Sequence, residues 1–142
     1  MVNILISQDN NQEAELLKSA FEESGDTVYL SSLAEARTRY EEVSPDIVVM
    51  NFADDLEKAE NLADQITTFD FTACIFALVP PGSIKGSYWA GTRGVVDYFP
   101  LTNKEEATRL FNQLTTACNE LTHDSCIACW KNRKFTNLKI LT

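Results

Sequence analysis

Glycine is scarce in this chain, five in 142 residues, and none falls in Ser7-Gln-Asp-Asn-Asn-Gln12, the turn after the first apolar run. A loop that cradles phosphate needs glycine there, so that the backbone can approach the anion; a dinucleotide fingerprint and a flavin-phosphate loop are therefore excluded. Histidine is scarcer still. The single His123 leaves no Ser/His/Asp triad on a cleft. No apolar stretch approaches the roughly 20 residues that span a bilayer. Met1-Val-Asn-Ile carries no basic region ahead of a signal core, so a cytoplasmic protein without membrane contact is expected. Positive charge is also short, with 12 Lys and Arg against 21 Asp and Glu. Residues 1–121 hold eight basic and twenty acidic side chains, and an acidic body does not read nucleic acid. Residues 122–142 are the exception, with Lys131, Arg133, Lys134 and Lys139 against Asp124 alone.

What is present alternates. Asn3-Ile-Leu-Ile-Ser7 reads as a short strand, and Asn10 with Glu13 as a capping box opening a helix on Ala14, Leu17 and Phe21. Gly25 suits a left-handed cap at its end. Thr27-Val-Tyr-Leu30 gives a second strand. Ser32 with Glu35 opens a second helix on Leu33, Ala36, Tyr40 and Val43, which Ser44-Pro45 stops. Ile47-Val-Val-Met50 follows Pro45-Asp46 and carries no charge, the mark of a strand buried on both faces. Leu56, Ala59, Ala63 and Ile66 line a third helix, and Cys74–Val79 is a fourth strand in which Cys74 reads as a small core hydrophobe. Ser83–Thr92 has helical potential, weakened by Gly86 and Gly91 by about 1 kcal/mol each. Val95–Phe99 is a fifth strand. Thr102 with Glu105 caps a last helix striped by Ala107, Leu110, Phe111, Leu114, Ala117 and Leu121. Strands alternating with helices over short connections imply a parallel sheet covered on both faces.

Three short motifs carry a resemblance over roughly residues 2–121. They are Ile4-Leu-Ile before Gln8-Asp9, Ser44-Pro-Asp-Ile-Val-Val-Met before Asn51, and Gly94-Val-Val-Asp97-Tyr98. In that order and spacing the chain resembles the CheY-like receiver domain of bacterial response regulators. The resemblance implies a flavodoxin-like, CheY-like (βα)5 three-layer α/β sandwich with strand order 2-1-3-4-5. It also implies a site at the carboxyl ends of the strands, where a receiver holds Mg²⁺ between two acids and phosphorylates an aspartate. Those acids fall at Gln8 and Asp9, and the phosphoacceptor at Asn51, whose carboxamide is a poor nucleophile. The hydroxyl that steadies the phosphoryl group falls at Val79 and the lysine that pairs with it at Leu101. Only Asp9 of the five keeps the pattern. Phosphoryl transfer works by positioned charge, so this set implies a degenerate receiver, with no cofactor and no tight Mg²⁺. The plain reading of Asn51 is a neutral residue that keeps the loop's hydrogen bonds. Asp54 and Asp55 suit a helix start, with a displaced cation site as the other reading.

The expectation is a pseudo-receiver in a two-component pathway, not an enzyme, that signals by protein contact without phosphorylation. Its partner would be a kinase, an output domain or another signalling protein, or a second copy of the chain. In the family, the face of the fourth helix, fifth strand and fifth helix docks partners, which selects Tyr88 and Trp89, with Tyr98 at the aromatic switch position. A second reading is a metal or redox sensor using Cys118, His123, Cys126 and Cys129, four ligands on paper; plain thiols are its bland counterpart. A third is a dimerising scaffold. Residues 122–142 read as a basic, cysteine-containing tail or extra element. There Trp130–Phe135 mixes aromatic and basic side chains, and Leu138–Leu141 has edge-strand character.

Overall fold

The computed structural model describes residues 2–70, 73–80 and 92–120; the side chains of 92–95 and 117–120 lie outside that description. Among the described residues, five strands and four helices follow in the order β1 (Asn3–Ser7), α1 (Asn11–Glu23), β2 (Thr27–Ser31), α2 (Ala36–Val43), β3 (Ile47–Asn51), α3 (Leu56–Phe69), β4 (Ile75–Val79), β5 (Thr92–Asp97) and α4 (Lys104–Glu120). The strands form one sheet in the order β2-β1-β3-β4-β5, and every pair is parallel. The expected α/β fold with order 2-1-3-4-5 is therefore the observed one. The expected weak helix over Ser83–Thr92 lies outside the described residues, except for Thr92, which opens β5 instead. Residues 121–142 lie outside them too.

The period of two along the strands sorts the core into two layers. On one face Ile4, Ile6, Val49, Phe76 and Leu78 pack against Leu17 and Phe21 of α1 and Leu110, Phe111 and Leu114 of α4. On the other, Leu5, Val48, Met50, Ala77 and Val79 meet Tyr40 of α2 and Ala59, Ala63 and Ile66 of α3. All five residues of β3 are buried, as its uncharged run requires. Phe21 and Phe111 meet edge to face at 5.0 Å between ring centres, which joins α1 to α4. Among the described residues no helix is long and apolar enough to cross a membrane.

Local chemistry fixes where each element starts and stops. Asn10 caps α1, its Oδ1 accepting the Glu13 N–H at 3.1 Å, and Gly25 takes φ 90° just past the helix, where a Cβ would clash. Asp46 opens β3 by clamping β1: its carboxylate accepts the Asn3 N–H at 2.8 Å, and its own N–H returns to the Asn3 carbonyl. Ser44, before Pro45, ends α2 in the left-handed region at φ 48°. Two expected capping boxes are displaced. Ser32 and Glu35 bond each other as expected, but they close a turn ahead of α2, which begins at Ala36. At α4 it is Asn103 that accepts the Glu106 N–H, while the Glu106 carboxylate takes the N–H and hydroxyl of Thr102 at 2.8 and 2.5 Å. The Thr102–Glu105 box is thus replaced by one shifted a single residue along, because asparagine caps at least as well as threonine.

Candidate functional site

The carboxyl ends of β1 and β3 deliver Gln8, Asp9 and Asn51 to one edge of the sheet, and β5 delivers Tyr98 and Leu101 beside them. Asn51 is 0% exposed. Its Oδ1 accepts the Ala53 N–H at 2.7 Å and shapes the turn that leaves β3, the plain role expected of it. Asp9 is spent on structure as well. Its Oδ1 accepts the Leu33 N–H at 2.9 Å, and its own N–H donates to Asp54 at 2.9 Å. Burial raises the carboxyl of Asp54 above the usual range; the Asp9 N–H opposes this, and the negative charges of Asp9 and Glu13 add to it. Asp55 caps α3, accepting the Lys58 N–H at 3.1 Å. Val79 is buried beneath this edge and offers only a methyl surface.

The residue that gathers the site is Glu13. It sits in the first turn of α1, 7% exposed, on the same stripe as Leu17, Ala20 and Phe21. Its carboxylate accepts the Tyr98 hydroxyl, the Leu101 N–H at 2.6 Å and, more loosely, the Gln8 Nε2 at 3.4 Å. Gln8 Nε2 also donates to the Tyr98 oxygen at 2.8 Å. Gln8, Tyr98 and Leu101, which the sequence singled out for separate reasons, are therefore brought together by an acid it did not single out. Glu13 was legible only as half of a capping box. The overlooked signal was a carboxylate at helical spacing on an apolar stripe, where burial demands partners. Tyr98 is 5% exposed, whereas its neighbour Phe99 is 64% exposed. Phe99 lines a groove of about 150 Å³ together with Leu101 and Leu110 and the charged Asp97, Glu106 and Arg109.

The donors here do not suit Mg²⁺, which wants several oxygens in an octahedron. Asp9 and Asn51 have each committed an oxygen to a backbone N–H. Among the described residues, the buried polar atoms left without a partner at this edge are the Gln8 Oε1, the Ser31 Oγ and the Asn51 Nδ2, and the last of these repels a cation. Among the described residues no group of three or more His, Cys, Asp and Glu is placed to hold a metal. Tyr88, Trp89, His123, Cys126 and Cys129 lie outside the described residues; Cys118 is within α4, and its side chain is outside them. Cys74 departs from expectation. It is buried as read, but it is disulfide-bonded, not a plain thiol.

Tyr98 and Tyr40 share an electrostatic fate. Burial raises both phenols first; the hydrogen bond and charge of Glu13 raise Tyr98 further, and those of Asp70, whose Oδ2 accepts the Tyr40 hydroxyl at 2.7 Å, raise Tyr40. A phenol whose folded pKa lies above its unfolded one holds its proton more tightly when folded. That stability is complete below about pH 10 and is lost as pH climbs beyond it. Urea unfolding from pH 7 to 11 should therefore show falling stability above about pH 10. Tyr98→Phe and Tyr40→Phe should each flatten that decline, and an unchanged slope in both would remove the tyrosines as its cause.

No protein-family model and no curated protein matches this sequence. Solved structures do. A response regulator receiver domain protein from Clostridium thermocellum superposes with a TM-score of 0.67 at 19% identity, over 84% of this chain and 96% of its own. The fold is that of a receiver domain. A provisionally assigned response regulator from Chloroflexus aurantiacus agrees at a TM-score of 0.62 and 22% identity, over 80% and 97% of the two chains. NtrX from Brucella abortus agrees at 0.65 and 13%, over 84% of this chain but only 28% of NtrX, so this chain matches one part of that longer protein. At such identities the likeness speaks for the receiver fold.

Proposed function

We propose that this chain is a pseudo-receiver, which takes no phosphoryl group and acts in signal transduction by protein contact. The observation that carries the reading is the Glu13 carboxylate, which accepts the Tyr98 hydroxyl and the Leu101 N–H. In the family this resemblance points to, the lysine position answers a phosphoryl group and the aromatic switch follows. Here Leu101 stands at the lysine position, and both its N–H and the aromatic are tied to an acid built into α1. A phosphoryl group on this edge would meet a leucine at position 101 where the family has its lysine and no hydroxyl at Val79, and the acids Asp9, Asp54 and Glu13 lie at the same edge. The neutral Asn51 completes the argument, since its amide nitrogen cannot form an acyl phosphate. With acetyl phosphate and Mg²⁺, the intact mass of the protein should therefore stay unchanged. A gain of one phosphoryl group mapped to Asp9, Asp54 or Asp55 would overturn the reading.

The partner is a signalling protein, such as a kinase or an output domain, and it engages the side of the sheet that carries β5 and α4. Tyr88 and Trp89 remain candidates on sequence grounds, and Phe99 joins them as an exposed ring lining an apolar groove with charged walls. An exposed aromatic at the centre of an interface is worth about 2 kcal/mol or more of binding. Phe99→Ala should weaken capture of the native partner at least about tenfold while leaving the fold intact by circular dichroism. Undiminished binding in Phe99→Ala, Tyr88→Ala and Trp89→Ala, with loss in an Asp9 variant, would move the docking surface to the carboxyl edge of the sheet.

A further inference from the structure

We infer that the disulfide partner of Cys74 is Cys118, so that a covalent clamp ties the start of β4 to the last turn of α4. Cys74 is 2% exposed and disulfide-bonded. The chain holds four cysteines, and the other three are Cys118, Cys126 and Cys129. Cys74 packs in the layer that contains Leu110, Phe111 and Leu114, on the α4 side of the sheet. It immediately precedes β4, at the end of the sheet opposite Asn51.

Topology brings α4 to that end. The helix starts at Lys104, just after Leu101 has met Glu13 at the carboxyl edge. It then runs back along the sheet, as a helix connected to parallel strands must. From Lys104 to position 118 the rise is about 21 Å, whereas a five-residue strand spans about 17 Å. The last turn of α4 therefore reaches the level of the strand starts. Helical spacing puts position 118 on the same stripe as Phe111 and Leu114, seven and four residues before it. A disulfide needs its two α-carbons about 5.5–6 Å apart, and among the described residues position 118 is the one cysteine position on an element packed in the layer that holds Cys74. The clamp closes a loop of about 45 residues, long enough to constrain the unfolded chain substantially. It pins α4, the helix that walls the groove lined by Phe99, and so links the thiol chemistry of the protein to that edge.

Non-reducing peptide mapping of the full chain, purified without reductant and alkylated in denaturant, tests the pairing. Cleavage after acidic residues is the digestion required, because cuts after Glu120 and Asp124 part Cys118 from Cys126 and Cys129. The expected result is a cross-linked pair of peptides, one holding Cys74 and the other ending at Glu120. A link to the peptide that holds Cys126 and Cys129, or an alkylated Cys74, overturns the pairing. Variants supply a second measurement. Cys118→Ser should leave Cys74 open to alkylation in denaturant and lower the melting midpoint by roughly 10 °C, the same fall that dithiothreitol causes in the parent. The double variant Cys126→Ser with Cys129→Ser should keep both the bond and the midpoint. If Cys74 stays blocked in Cys118→Ser, or becomes free in the double variant, the clamp lies elsewhere.

Discussion

Glu13→Ala should destabilise the protein by about 3 kcal/mol and release the fifth strand's end from the rest of the site. The carboxylate is buried, and it is the acceptor for the Tyr98 hydroxyl and the Leu101 N–H. Removing it strands both donors away from water, at about 1–3 kcal/mol for each buried group left unpaired. Gln8 retains its bond to the Tyr98 oxygen, which limits the loss. Glu13→Gln keeps one acceptor oxygen and should cost about 1 kcal/mol. Glu15, exposed one turn-face away on the same helix, is the control; its alanine variant should fall within about 0.5 kcal/mol of the parent. Urea midpoints give the energies, and amide exchange at Leu101 gives the local effect. In Glu13→Ala that amide should exchange far faster than in the parent. If Glu13→Ala behaves like Glu15→Ala, the carboxylate does not hold Tyr98, and the proposed pseudo-receiver loses its main support.

The fold was legible because its main signals are local. An uncharged run after Pro45-Asp46 has one stable home, a strand covered on both faces, and β3 is that strand. The alternation of Ile4 and Ile6 with Leu5 is a division between two helix layers that the period of a strand dictates. Gly25 could be assigned to a left-handed cap because no other residue type there is as free of steric cost. What escaped the sequence depends on distant partners. Thr92-Arg-Gly has no strand signal of its own; it becomes the start of β5 by pairing with β4 across a register shift at Ile75 and Phe76. Asn103 displaced Thr102 as the cap, since two good capping residues in succession leave the choice to packing. Positions Gln8, Asn51, Val79 and Leu101 could be picked out by resemblance, yet their environment could not. That three of the site's groups converge on Glu13 follows from α1 lying beside the end of β5, a contact between residues some 85 positions apart. The state of Cys74 escaped for a similar reason: an apolar setting suits a half-cystine as well as a thiol.

Asn51→Asp, which restores the nucleophile that the receiver fold is known for, should unsettle the protein without making it a phosphoacceptor. Position 51 is fully buried, and its Oδ1 already takes the Ala53 N–H. A carboxylate there keeps that one bond, and Asp9, Asp54 and Glu13 lie at the same edge with no lysine at Leu101 to balance it. An uncompensated buried charge costs about 3–5 kcal/mol. The new carboxyl should respond by taking up a proton, its pKa lifted above the ordinary value by burial and by like charge. The sign of the pH dependence follows. A carboxyl raised in the folded state adds a penalty that is absent below the unfolded value, near pH 4, and grows as pH rises through the folded one. The variant should therefore lie closest to its parent near pH 4 and fall furthest behind it at pH 7 and above. Mg²⁺ provides the decisive comparison. Gln8 supplies no carboxylate and Asp9 is bonded to Leu33, so millimolar Mg²⁺ should return little of the lost stability, and acetyl phosphate should give no stoichiometric label. Full recovery of the melting midpoint with Mg²⁺, together with rapid labelling at position 51, would mean that the edge still assembles a metal site around any acid placed there. The supporting positions would then matter less than the Glu13 network and the missing lysine imply.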